Sequence, residues 1–537
     1  MSVAARPAAG QPRREDRGDL IVLHLFGSYR EMGRQQVELL GPVARDVYEL
    51  QLADWRRLIS GFGILAKLAD RFLPRFWMST GPQYDRSGLY EEIRGYADGL
   101  GVSAPDAWRG AFGVLGSGTT TFVATRTATA DGSAIIGKNS DWTDSDGRRP
   151  PVVCHYHPDN GDLDFILAGW PLLPSPATGI NEAGLALGLN FFTADQILGL
   201  WMPEWPYRRA LQKAATVEEG ARIITRSRNR GISGFISMAD AKGNTAMIEC
   251  TPGKCAVRPE GDWFAQSNHA RTEKMAPRDR GRFADSFQRL AAMEEAVRPH
   301  VGKITPEIGA RILRNRSNSP YANESVVANA VALNSAVVHT ASRTLWHSTT
   351  RQPQAPFGEM VPFSAAAEAP ATAALPADPR LGTPEMEREA AAIAAVRRAV
   401  RLFGEGKVDE ASAIWDRLAD DGEPALEPHR LTWARARVRW TLGRLEEAEG
   451  LLMALDSDSA PFDVRSHALV IRALVADRLA RREDALRLYQ QAQAYLDAHD
   501  YNHQSMVAPL RARIAAGLRA AQNKGPMPES PDLQRVG

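Results

Sequence analysis

The order of apolar and polar positions divides the chain into stretches of different texture. Between residues 19 and 364, short β-branched or alternating runs mix with helical periodicity and glycine-containing turns. The runs predict strands at 20–26, 119–124, 134–137, 185–190, 235–239, 246–249 and 330–338. Apolar positions recurring every three or four residues predict helices at 30–59, 90–99 and 282–297. Strands cluster after residue 120, so this part reads as an α+β body.

Residues 365–384, AAAEAPATAALPADPRLGTP, are rich in Ala and Pro, lack periodicity and read as a semi-extended linker. Beyond it, 385–522 is helical throughout, rich in Ala, Leu, Arg and Glu. Three hexads recur there at a constant offset of 37 residues: GKVDEA at 406–411, GRLEEA at 443–448 and ARREDA at 480–485. Each ends on an alanine (Ala411, Ala448, Ala485) that lets two helices of a hairpin approach closely. The pattern resembles tetratricopeptide-type repeats, whose usual period is about 34 residues. That resemblance implies a peptide or protein partner, or stacking on a neighbouring domain. Residues 1–18 and 523–537 read as a disordered leader and tail.

Composition narrows the picture. A chain of 537 residues is too long for one core. Its 44% hydrophobic and 24% charged content is ordinary for globular protein, and a net charge of +1 supplies no global field for nucleic acid or acidic lipid. Three cysteines cannot form a dense disulfide framework, which fits a reducing compartment. The apolar run 20–26 is too short for a signal, acidic Glu15, Asp16 and Asp19 separate it from Arg13 and Arg14, and no small-residue cleavage site follows. No stretch approaches the ~20 apolar residues of a membrane helix. A cytoplasmic setting is expected.

The chemistry concentrates in residues 116–142, GSGTTTFVATRTATADGSAIIGKNSDW. A Gly-Ser-Gly turn leads into a β-branched strand. Asp131-Gly132 marks a turn, and a second strand ends in Asn139, Ser140, Asp141 and Trp142. Such a hairpin returns Asp141 toward Thr119. A threonine in a strand is by itself only a strand former.

The segment resembles the peptidase C45 family, the N-terminal-nucleophile (Ntn) hydrolases typified by acyl-CoA:6-aminopenicillanic acid acyltransferase. The family's cleavage motif is matched by Ser117-Gly118-Thr119-Thr120-Thr121, its turn by Asp131-Gly132, and its Asn-x-Asp-aromatic signature by 139–142. Further family-like segments keep the family's order: GSYREMG at 27–33 and YEEIRGYADG at 90–99 upstream, GINEAGLALGLN at 179–190 and QSNH at 266–269 downstream. The resemblance implies a four-layer αββα Ntn-hydrolase sandwich at 19–364, followed by the all-α helical-repeat domain. It also implies self-cleavage between Gly118 and Thr119. Thr119 is then nucleophile and, through its new α-amine, base. Asp141 orients the site or assists maturation, Asn268 helps form the oxyanion hole, and Asn139, Trp142 and Asn190 fall to substrate binding. Substrates would be small-molecule or peptide amides or acyl thioesters, with no cofactor, nucleic acid or membrane.

Three departures matter. The family nucleophile is normally cysteine. Threonine paired with its own N-terminal amine is an established nucleophile, and a branched Cβ restricts χ1 and holds Oγ1 in one rotamer. Ser117 stands where relatives often carry Asp. Asn329 falls near an arginine that binds substrate carboxylate in the family. The competing expectation is a catalytically silent Ntn-like scaffold that binds proteins through its repeats.

Other candidates are weaker. Cys154-His155-Tyr156-His157 places only the two histidines on one face of a strand, and no second ligand pair is evident, so no metal is expected. Cys250 and Cys255 flank TPGK, a hairpin turn, and read as satisfied strand ends rather than a bridge. Trp170, Trp201, Trp205, Phe191 and Phe192 are equally suited to core or to pocket walls, and His269 reads as structural.

Overall fold

The computed structural model describes residues 10–60, 66–112, 118–142, 149–175, 177–195, 204–280, 284–366, 372–499 and 504–522. These form two compact units. The first comprises the described residues of Met1–Asp279, Leu290–Asn315 and Val331–Leu381; the second those of Arg280–Arg289, Arg316–Ala330 and Gly382–Gly537.

The first unit contains two sheets. The nine-stranded sheet has the order β1-β2-β5-β6-β7-β8-β9-β10-β11. Its strands are β1 (Arg13–Arg17), β2 (Leu20–Gly27), β5 (Val152–Pro158), β6 (Phe165–Gly169), β7 (Thr178–Asn181), β8 (Ala186–Phe191), β9 (Gly234–Ala239), β10 (Thr245–Cys250) and β11 (Cys255–Arg258). The six-stranded sheet runs β12-β3-β4-β13-β14-β15. Here β3 is Thr119–Ala124, β4 Ile135–Asp141, β12 Trp263–Gln266, β13 Ala332–His339, β14 Thr344–Ser348 and β15 Met360–Ser364.

Strand alternation sorts the core into layers. Ile21, Leu23, Leu25, Leu167, Ile236 and Ile248 pack against helices, whereas Leu20, Val22, Ile166, Ala186 and Met247 face Val123, Ile136, Phe264 and Leu345 of the other sheet. The helices over the large sheet are α1 (Tyr29–Leu40), α2 (Pro42–Ser60), α3 (Ala66–Thr80), α4 (Leu89–Leu100), α5 (Ala104–Phe112), α6 (Pro206–Lys213) and α7 (Val217–Arg226). Further along the chain lie α8 (Ala284–Val297) and α9 (Pro306–Leu313). The small sheet carries α9 on its far face, where Gly309 lies against Phe122 and Val337. The architecture is an αββα sandwich, the layering that the resemblance implies, with an all-helical region after it.

Two of the family-like segments meet here. A Cβ at Gly33 of α1 would lie 2.2 Å from the Glu92 carbonyl oxygen, and one at Gly95 of α4 would lie 2.1 Å from that of Arg30. The two helices therefore cross with their backbones in contact.

The helical region comprises α10 (Pro384–Gly404), α11 (Val408–Asp420), α12 (Pro428–Thr441), α13 (Leu445–Ala454), α14 (Phe462–Arg478), α15 (Arg482–Ala498) and α16 (Gln504–Arg519). Each hexad spans the turn into the second helix of a pair. Ala411, Ala448 and Ala485 are fully buried in one core with Trp415, Leu452 and Tyr489.

Several expectations are corrected. Arg13–Arg17, expected within the disordered leader, forms the edge strand paired to β2; an edge position tolerates charge. The helix expected over 30–59 is two, broken at Gly41-Pro42, since proline cannot continue a preceding turn. Cys250 and Cys255 are bridged: β10 and β11 pair these residues directly, 4.3 Å apart at Cα. Within the expected linker, Leu375 is buried and exchanges backbone hydrogen bonds with Met360. Residues 1–9, 367–371 and 523–537 lie outside the described residues. Among the described residues, no helix is long and apolar enough to cross a membrane.

Candidate active site

The β3–β4 hairpin sets the site. Its register pairs Thr119 with Ser140 and Thr121 with Lys138. Val123 and Ile136 face the large sheet, so by alternation Thr119, Thr121, Lys138 and Ser140 share that inner face. Asn139 has the opposite phase. Its amide donates to the Leu313 carbonyl at 2.9 Å, anchoring β4 to α9 on the outer face.

On the inner face, Thr119 is held by a residue from just beyond β12. The Thr119 N–H donates to Asn268 Oδ1 at 2.8 Å, while Asn268 Nδ2 donates to Thr119 Oγ1 at 2.9 Å. The same Nδ2 donates to the Phe191 carbonyl at 2.9 Å, tying the amide to β8. Asn190 of β8 supports this arrangement. It accepts from Thr121 Oγ1 at 2.7 Å and donates to the carbonyls of Gln266 and Ser267, each at 3.1 Å. It thereby orients the segment that carries Asn268. Thr119 is 3% exposed, so its side chain lies away from bulk water.

Asp141 enters through its backbone. Its N–H donates to the Gly118 carbonyl at 2.8 Å. Gly116 and Ser117, the rest of the expected cleavage turn, lie outside the described residues.

Lys138 was not expected. It is buried, its Nζ donates to Ser140 Oγ, and burial pulls its amine down to about 7, against the opposing pull of the Asp141 charge. The signal was present in the strand pattern, since Lys138 stands in phase with the apolar Ile136.

Trp142 packs with Trp170 at 5.6 Å between ring centres, and the Arg149 guanidinium lies 5.2 Å over its ring. Ala177 and Leu333 complete that cluster. Phe192 is core, tilted against Phe235, and Trp205 is buried among the helices over the large sheet. Trp201 lies outside the described residues. His269 Nδ1 lies 3.2 Å from Ser267 Oγ, a local contact. Asn329 donates to the Val326 carbonyl at 3.4 Å.

A second cluster escaped the sequence. Parallel pairing of β2 and β5 sets His24 beside His155, adding a third histidine to His155 and His157.

The two-sheet sandwich thus presents a threonine, held at both its nitrogen and its hydroxyl, at the start of an inner strand. Residues 127–352 match the family model described as acyl-coenzyme A:6-aminopenicillanic acid acyl-transferase, the family the sequence resembles. The match begins after Thr119. An N-acylethanolamine-hydrolyzing acid amidase ortholog of Caenorhabditis elegans is similar at 15% identity, over 41% of this chain and 93% of that one, with a TM-score of 0.32. A mutant of the conjugated bile acid hydrolase of Clostridium perfringens is similar at 11% identity, over 47% and 100%, with a TM-score of 0.31. No curated protein sequence matches the chain.

Proposed function

We propose that the chain is a self-maturing hydrolase or acyltransferase of amide or acyl-thioester bonds, working through an acyl ester on Thr119. The observation that carries this reading is the double hold of Asn268, which faces both the nitrogen and the hydroxyl of one threonine. Those are the two groups an N-terminal threonine nucleophile must keep oriented.

In maturation, Thr119 Oγ1 adds to the Gly118 carbonyl carbon. The Gly118–Thr119 C–N bond breaks, and water opens the resulting ester to leave a Gly118 carboxylate and a free Thr119 amine. The Gly118 oxygen gathers negative charge in this step, and the Asp141 N–H already points at it. The hydroxyl proton needs an acceptor before the α-amine exists. Lys138, neutral in useful fraction near pH 7, takes it through Ser140, the residue directly across from Thr119.

Once free, the Thr119 amine, with an ordinary pKa of about 7.7–8.0, serves as base for turnover. Asn268 Nδ2 then donates to the oxyanion of the substrate. Water as acceptor gives hydrolysis, and an amine gives acyl transfer. Asn190 acts through Asn268, Trp142 is offered as a wall of the acyl slot, and Asn139 serves the fold.

The test is acylation of the purified full chain by an activated acyl ester, read by peptide mass. Thr119 should carry the acyl group, and Asn268→Ala should slow the labelling by about 10²–10³-fold. Labelling elsewhere, or unaffected by Asn268→Ala, would overturn the reading in favour of a silent scaffold.

A further inference from the structure

We propose that His24, His155 and His157, with the carboxylate of Glu15, form a binding site for one divalent transition-metal ion of the zinc type. The site lies at the β1–β2–β5 edge of the large sheet. This goes beyond the Thr119 reading and does not rest on it.

The three imidazoles each offer a nitrogen, and these nitrogens lie within 4.8 Å of one another. Ligands 2.0–2.1 Å from a tetrahedral ion are about 3.4 Å apart, so the nitrogens need to draw in by at most about 1.4 Å. His24 and His155 are stacked, 4.4 Å between ring centres. Convergence of their lone pairs requires rotation about χ2, a broad and soft torsion for histidine.

Three further observations point to a ligand. His155 Nε2 is buried without a hydrogen-bond partner among the described residues, which costs free energy unless something occupies it. His157 Nδ1 is 2.6 Å from Asp164 Oδ2, leaving Nε2 for the ion, and a carboxylate behind a ligating imidazole is the usual way to fix its tautomer. Glu15 Oε1 stands 3.4 Å from His24 Nε2 and supplies a fourth donor with compensating charge.

One group competes. The Arg13 guanidinium lies 3.3 Å from His24 Nε2 and also contacts Glu15. It is half exposed on the edge strand and can swing outward. With imidazole donors, zinc, copper and nickel are the suited ions. The bound ion would clip the N-terminal edge strand to β5.

The experiment uses the full chain stripped with chelator and titrated with zinc sulfate alone, by calorimetry and by thermal unfolding. Cobalt(II) is added in parallel for its tetrahedral visible absorption. One ion per chain is expected, with a rise in the unfolding temperature. His24→Gln and His157→Gln should each weaken binding by at least about 10-fold, and Asp164→Asn by about 10–100-fold. Arg13→Ala should bind as tightly or more tightly. Thr119→Ala should bind as the parent does, which separates this proposal from the catalytic one. Metal-free unfolding of each variant checks its fold. No zinc heat and no cobalt spectrum in the parent chain, or binding indifferent to His24→Gln or His157→Gln, would overturn the site.

Discussion

In β4, Lys138 stands midway between Ile136 and Ser140, on a face closed by the large sheet. A cation there is held out of water. The unfolded chain keeps its lysine protonated up to about 10.5, and the folded chain releases the proton at about 7. Between those values the unfolded state binds the extra proton, so this group adds stability as pH rises from 7 toward 10.5, and its burial cost is fully present below 7. As a base, the amine should make self-cleavage slow by about tenfold for each pH unit below 7 and level off above it. Timed cleavage of freshly translated chain at set pH checks this, and Lys138→Met should stay uncut while unfolding no earlier than the parent at a pH of about 6. A flat rate across a pH range of about 6–8 would remove Lys138 from the mechanism. Thr119, Asn268 and Asn190 were legible because short motifs around them resemble a family. Lys138 was not, because lysine reads as a solvent-facing residue until its phase in the strand is noticed.

At the scale of elements, the repeat period carried real structure. The turns of the first two hexads place Gly406 and Gly443 at φ 79° and 74°, and the third places Ala480 at φ 59°. An L-residue there pays a steric cost of roughly 1 kcal/mol that glycine escapes. Ala480→Gly should therefore stabilise the α14–α15 pair by up to about 1 kcal/mol, offset in part by the entropy of the unfolded glycine. Denaturant unfolding of the full chain, followed through the helical signal, measures it; destabilisation would mean the turn is not strained. Other elements were hidden for physical reasons. A run of five charges conceals the edge strand Arg13–Arg17, because the sequence does not show that only one side of it is paired. The three-histidine cluster depends on parallel pairing of β2 with β5, and no local pattern specifies which distant strands become neighbours.

Across the whole molecule, the compact units are not two consecutive stretches of chain. The unit that holds the C-terminal helices takes in Arg280–Arg289 and Arg316–Ala330, which the sequence texture placed with the strands. Texture reports local periodicity and not the partner against which a segment packs. Cys250 and Cys255, expected as unbridged strand ends, are joined because the β10–β11 register pairs them directly, a pairing that composition does not show. The proposed chemistry turns on one covalent event. Intact-mass analysis of purified chain beside Thr119→Ala tests it most directly. From the 58.8 kDa chain, cleavage before Thr119 yields pieces of about 13 and 46 kDa, the larger beginning at threonine, and the variant remains whole. A parent chain that stays intact after prolonged incubation, with no new threonine N-terminus, would contradict the account and leave a sandwich that holds a nucleophile's geometry without its chemistry.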